Sequence, residues 1–303
     1  MIAVRLDNMV ELEQALRAGP VVLDGGLATR LEATGHDLRD ELWSARLLAD
    51  EPAAIVAAHR DFVAAGAQVV TTASYQATVD GFVRRGHEPT TARRIIRSSV
   101  ALARQAGPLW IAASVGPYGA ALADGSEYRG DYGLSHAQLV RFHRPRLELL
   151  AEAGPDVLAL ETVPDTREAS ALLDALEGLG IPAWLSYTVE GGRTRAGQPL
   201  DEAFALLAGH PGVIAVGVNC SSPADATAAV PLAFGATGLP VVVYPNSGER
   251  WDPAARRWAG DAADTSWESL AARWLADGAR LIGGCCRVRP ADIARIARAL
   301  PSV

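Results

Sequence analysis

The sequence predicts an α/β protein, a single-domain (β/α)8 TIM barrel over residues 1–303, and three observations carry that expectation. Short apolar, β-rich runs recur along the chain, each followed by an alanine- and leucine-rich stretch of helical character. The runs lack clean alternation, as strands buried on both faces of a parallel sheet do. Eight strand–helix units in 303 residues average about 38 residues each, which suits a closed barrel with an outer ring of helices. The competing fold is a doubly wound open sheet, which normally carries G-x-G-x-x-G after its first strand. Asp24-Gly25-Gly26-Leu27-Ala28-Thr29 does not match that fingerprint.

The strands read as 21–24, 68–74, 110–115, 157–162, 183–188, 213–219, 241–246 and 280–284, and the helices as 52–65, 91–106, 135–153, 166–179, 200–209, 223–235, 265–277 and 290–299. Pro52, Ser135 and Pro290 mark helix starts, since proline suits the first helical turn and serine caps it. Two connections exceed what a barrel needs. Residues 116–134 follow the third strand and are rich in glycine and tyrosine, and residues 247–263 follow the seventh and carry Trp251 and Trp258. Loops after strands lie on the C-terminal face of a barrel, where active sites are built; the alternative is insertions without a role.

Composition narrows the partners. With 28 Lys and Arg against 35 Asp and Glu, the net charge of −7 gives no general attraction for nucleic acid. The longest apolar runs, such as Val241–Tyr244, are far below the ~20 residues of a membrane span. The first residues carry acids and lack the apolar core of a secretory signal. Three cysteines are too few for a disulfide-built secreted fold, so a cytoplasmic protein is expected.

All three cysteines fall at C-terminal strand ends: Cys220 closes the sixth strand, and Cys285 and Cys286 close the eighth. In a closed barrel one strand separates those two, so their ends converge over the mouth. Three thiolates on one rim form a tripod for a borderline metal, and Zn2+ is the usual occupant, with a fourth position left open for substrate. The alternatives are thiols buried as small hydrophobes, or a strained Cys285–Cys286 disulfide, which a reducing compartment disfavours. No histidine stands at a strand end to activate a catalytic thiol. Adjacent cysteines in a regular strand point to opposite faces, so the eighth strand is expected to bend at Gly283-Gly284.

Taken in order, LDGGLATRLE, LWSARLL, TTASYQAT, SVGPYGA, LALETVPD, VGVNCSSP, VYPNSGERWD and GGCCRVRP resemble the homocysteine S-methyltransferases almost end to end. The likeness is strongest to the short single-domain members that take a methyl group from S-methylmethionine or S-adenosylmethionine. The resemblance implies a barrel that binds zinc through Cys220, Cys285 and Cys286 and moves a methyl group from a sulfonium donor to the thiolate of L-homocysteine. It implies that Asp24 and Glu161 hold the substrate ammonium; helix capping or loop hydrogen bonding is the alternative for both. Gly25 and Gly26 let backbone approach the substrate carboxylate, and Asn219 stands beside a ligand, at the substrate, as its support, or as a turn former. Trp43 and Tyr75 are candidate donor-binding rings, because ring faces attract sulfonium cations. Trp251 and Trp258 are weaker candidates of the same kind. No general base is assigned, since methyl transfer from a sulfonium needs none. A betaine-dependent homocysteine methyltransferase, or a zinc-stabilised thiol-binding protein without turnover, would share the same tripod. A monomer and a homodimer are equally compatible with the sequence.

Overall fold

The computed structural model describes residues 11–252, 257–259 and 266–301. Eight parallel strands, β1 (Val21–Val22), β2 (Val69–Thr71), β3 (Trp110–Val115), β4 (Val157–Val163), β5 (Ala183–Tyr187), β6 (Val213–Asn219), β7 (Val241–Tyr244) and β8 (Ala279–Ile282), stand side by side in chain order. β1 pairs with β8, and a bridge from Leu23 to Val69 joins β1 to β2, which closes the barrel. The closing seam is tied further by Gln68 N–H to the Val22 carbonyl at 2.8 Å and Asp24 N–H to the Val69 carbonyl at 3.1 Å.

Side-chain alternation divides the strands between two cores, as a period of two requires. Val21, Leu23, Trp110, Ala112, Val157, Ala159, Trp184, Val242 and Leu281 fill the barrel interior. Val22, Ile111, Ala113, Leu158, Leu160 and Val216 face the helical ring instead. The interior is floored by the helix Leu12–Ala18, whose Leu12, Ala15 and Leu16 join that inner core. Continuing the same parity upward, Ser114, Glu161, Ser186 and Asn219 stand one layer above the apolar filling and form a polar tier at the C-terminal mouth.

Every predicted strand and helix is present with ends shifted by a few residues, and 110–115, 213–219 and 290–299 coincide in full. Pro52 and Pro290 sit in the first turns of their helices, and Ser135 forms a reciprocal capping box with Gln138. Helices Leu12–Ala18, Leu27–Ala33 and Val79–Arg84 were not anticipated, being only six or seven residues long. The connection 116–134 contains a short helix, Tyr118–Leu122, and a 3-10 turn, Ser126–Tyr128. Part of the 247–263 connection lies outside the described residues. Its described segments, Arg250–Asp252 and Arg257–Ala259, pair as an antiparallel hairpin with Trp251 opposite Trp258, and the side chains of both tryptophans lie outside the description.

Candidate metal centre and substrate pocket

Cys220 follows directly on β6, and Cys285 and Cys286 follow β8 across the Gly283-Gly284 pair. Their three sulfurs lie within 4.8 Å of one another, with Cys220 Sγ 3.8 Å and Cys285 Sγ 3.9 Å from Cys286 Sγ. Sulfurs ~2.3 Å from a tetrahedral zinc stand about 3.8 Å apart, which both separations to Cys286 match. β8 ends at Ile282, as the adjacent cysteines require. The two glycines matter for proximity: a Cβ on Gly283 would lie 2.6 Å from the Asp24 carbonyl oxygen, and one on Gly284 2.2 Å from Val288 Cγ1. Cys285 N–H then bonds the Pro245 carbonyl at 2.7 Å, and Cys286 N–H bonds Asn246 Oδ1 at 3.2 Å, fixing both thiols against the end of β7.

Electrostatically the three thiols are unequal. Hydrogen bonds from Cys285 and Cys286 hold the Cys220 thiol well below the ordinary thiol range, and Cys220 pushes both neighbours up in return. The Tyr128 hydroxyl adds a further hydrogen bond to Cys220 Sγ at 3.0 Å. Tyr128 is a contributor that the sequence did not single out. Its signal was the glycine- and tyrosine-rich connection that carries it. Arg195 clamps it from outside, donating from Nε to the Tyr128 carbonyl at 3.1 Å with its guanidinium 5.6 Å from the ring centroid.

Asp24 and Glu161 are both buried at the mouth. Thr71 holds Asp24 twice, through its backbone N–H to Oδ2 at 2.8 Å and its hydroxyl to Oδ1 at 2.6 Å. Glu161 accepts hydrogen bonds from the Ser114 and Tyr244 hydroxyls. Burial pushes Asp24 up to about 7 against the pull of the Thr71 bonds, and the charge of Glu161 adds to the rise. Burial likewise pushes Glu161 up to about 7 against the bond from Ser114. Among the described residues neither carboxylate has an ion-pair partner, so the pair is suited to receiving a cation.

The remaining candidates divide. Asn219 is fully buried and its amide is engaged within the protein: Oδ1 accepts from Thr162 N–H at 2.7 Å and Ser186 Oγ at 2.8 Å, and Nδ2 donates to Thr162 Oγ1 at 2.8 Å. It braces Thr162, whose φ of 59° is unusual for a β-branched residue. Gly25 and Gly26 are needed where their loop meets the cysteine turn: a Cβ on Gly25 would lie 2.8 Å from the Val288 carbonyl oxygen, and one on Gly26 2.6 Å from that of Cys285. Trp43 and Tyr75 meet edge to face, ring centroids 6.1 Å apart. The Tyr75 hydroxyl bonds Thr162 and lies within reach of the charges on Glu127, Cys220 and Glu161. Tyr75 is held from behind by the buried Arg146, which donates to its carbonyl and to those of Ser74 at 3.2 Å and Gly116 at 2.8 Å.

Backbone strain reaches the site. Among the described residues, the non-glycine positions with left-handed φ include Cys220 and Thr162, alongside Trp43, Ala123, Asp131 and Arg287. Such a conformation costs about 1–3 kcal/mol and persists where surrounding contacts over-determine it, commonly at functional sites.

A closed (β/α)8 barrel with a three-thiol cluster and buried, unpaired carboxylates at its C-terminal mouth defines a barrel enzyme with a candidate thiolate metal centre. Comparison with known proteins narrows the class. The homocysteine S-methyltransferase family model matches residues 21–300. The Escherichia coli (strain K12) homocysteine S-methyltransferase is 47% identical over 291 residues, covering 91% of this chain and 94% of that one. The Bacillus subtilis (strain 168) homocysteine S-methyltransferase YbgG is 44% identical over 293 residues, covering 91% and 93%. The metallated crystal form of the E. coli homocysteine methyltransferase MmuM superposes with a TM-score of 0.82 at 44% identity, covering 94% of this chain and 99% of that one. The chain belongs to the homocysteine S-methyltransferase family.

Proposed function

We propose that the protein transfers a methyl group from a sulfonium donor, S-methylmethionine or S-adenosylmethionine, to the sulfur of L-homocysteine, giving methionine, with Zn2+ held by Cys220, Cys285 and Cys286. The observation that carries this reading is the convergence of three sulfurs within 4.8 Å of one another beside two buried carboxylates that lack an ion-pair partner. Family membership and the metallated form of the E. coli relative support it. When bound, zinc supplies the Lewis acidity that keeps an acceptor thiol deprotonated at neutral pH.

The chain's own residues do the rest. Asp24 and Glu161 grip the homocysteine ammonium, whose charge offsets the burial that pushes both carboxyls towards neutrality. Thr71 and Ser114 keep their lone pairs aimed through the hydrogen bonds described above. Gly25 and Gly26 let their loop pack against the cysteine turn, and the substrate carboxylate approaches the backbone of that loop. The Tyr128 hydroxyl steadies Cys220, and Asn219 holds the strained Thr162 peptide in place. Trp43 and Tyr75 present ring faces to the donor cation, an attraction worth about 0.5–2 kcal/mol. In the reaction the acceptor thiolate forms a bond to the methyl carbon as the donor's C–S bond breaks. The bonding pair leaves with the donor sulfur as a neutral thioether, and no proton moves.

No helix among the described residues is long and apolar enough to cross a membrane. All three cysteines are free thiols, which supports placing the protein in the reducing cytoplasm. The test is a donor panel. Zinc-loaded protein is given homocysteine with S-methylmethionine, S-adenosylmethionine or betaine, and methionine is measured. Methionine from a sulfonium donor is expected. Methionine from betaine alone, or metal binding with no turnover, overturns the proposal.

A further inference from the structure

The connection after β3 brings to the mouth a group that the acceptor site leaves unused. Glu127 stands in the 3-10 turn Ser126–Tyr128, next to the tyrosine that meets Cys220. Its backbone is firmly placed. Ser126 N–H bonds Asp124 Oδ1 at 2.9 Å, and a Cβ on Gly119 would lie 2.5 Å from the Glu127 nitrogen. The connection is thus folded tightly onto itself, and Glu127 is fixed within it.

The carboxylate has unsatisfied capacity. Glu127 Oε2 is buried with no hydrogen-bond partner. Its own backbone N–H supplies a hydrogen bond, and the side-chain charges acting on it are those of Cys220 and Asp124, both of which repel it. Burial pushes the carboxyl up to about 7. Its charge reaches the hydroxyls of Tyr75 and Tyr132, so it shares the ring-lined side of the mouth with the proposed donor pocket. A part-buried carboxylate with one buried, unpartnered oxygen is costly, and a ligand cation would offset that cost.

A sulfonium amino acid offers two cations. The sulfonium loses its charge as methyl transfers, so a carboxylate against it would stabilise the ground state more than the transition state and slow the reaction. The α-ammonium keeps its charge throughout and has N–H donors for a carboxylate to accept. A sulfonium has none. We propose that Glu127 binds the α-ammonium of the methyl donor, making the connection after β3 the element that selects donors carrying an amino-acid end. This inference rests on the sulfonium-donor reading of the site.

The test compares wild type with the isosteric Glu127→Gln, both zinc-loaded. Loss of one charge-assisted hydrogen bond should lower kcat/KM for S-methylmethionine about 10–150-fold, almost wholly through its KM, while the homocysteine KM stays unchanged. The variant should melt no lower than wild type, because an unpaired buried charge has been removed. With wild-type turnover present, an unchanged donor KM overturns this proposal alone. So does a lower melting temperature with equal rises in both KM values, the signature of a merely structural carboxylate. Absence of wild-type turnover with any sulfonium donor overturns both this proposal and the functional reading beneath it.

Discussion

The half of the mouth proposed for the acceptor stands on strand ends, whereas the half proposed for the donor hangs mainly from connections. Cys220, Cys285, Cys286, Asp24 and Glu161 each lie in or within a few residues of a barrel strand, fixed by ladder bonds and by neighbours such as Thr71, Ser114 and Asn246. Trp43, Glu127 and Tyr128 come instead from chain well past a strand, Tyr75 joins them from just beyond β2, and Arg146 and Arg195 hold Tyr75 and Tyr128 through backbone carbonyls. The difference has a chemical sense. A thiolate cluster needs its ligands fixed to a few tenths of an ångström before substrate arrives. A pocket for a second substrate is served by a wall that packs by its own contacts and can vary without disturbing the barrel.

The sharpest way to break this comparison is at the cysteines. Replacing Cys286 by alanine should abolish both zinc binding and methionine formation while the barrel stays folded, since its two apolar cores do not depend on the cluster. Normal zinc content and normal rate in that variant, by metal analysis and assay, would remove the tripod from the account. Next in size are Asp24→Asn and Glu161→Gln. Each should weaken homocysteine binding about 10–150-fold with zinc retained, and should leave the affinity for a simple thiol without the amino-acid end unchanged. Equal losses for both thiols would assign the carboxylates to local structure.

The contrast also governs what could be read in the sequence. Strand ends recur in register, so NC after the sixth strand and GGCC after the eighth could be placed on one rim before any coordinates existed. Asp24 and Glu161 were visible for the same reason. Asn219 occupies the expected position, and its amide bonds Thr162 and Ser186, because it lies in the polar tier inside the barrel. Sequence gives that parity only once the strand register is known. Glu127 and Tyr128 escaped notice because a connection has no period from which to infer direction. Only contacts such as that of Gly119 with the Glu127 backbone decide where the side chains go.

Smaller effects sharpen the boundary between the halves. Tyr128→Phe removes the hydroxyl that meets Cys220 and should weaken zinc binding about 10-fold, within the usual range for groups that support a ligand. Unchanged metal affinity in a chelator competition would make the contact incidental. Titration provides a gentler probe. Asp24 rises from 3.8 to about 7 in the fold, so its contribution to stability is fully present below its unfolded value and is lost as pH rises through about 7. Ligand-free protein should therefore lose stability between pH about 4 and 7, and Asp24→Asn should flatten that slope. If the ionised pair holds homocysteine as proposed, its affinity should fall as pH drops below about 7. A slope identical in wild type and Asp24→Asn would contradict the burial argument for this carboxylate.

The central claim is that three protein sulfurs form a metal centre whose remaining position accepts the homocysteine sulfur. X-ray absorption at the zinc edge, on zinc-loaded protein with and without homocysteine, measures this directly. The account predicts three sulfur neighbours in the free protein and four when homocysteine is added. A sulfur count that stays the same on adding saturating homocysteine, or fewer than three sulfurs at the start, would contradict it.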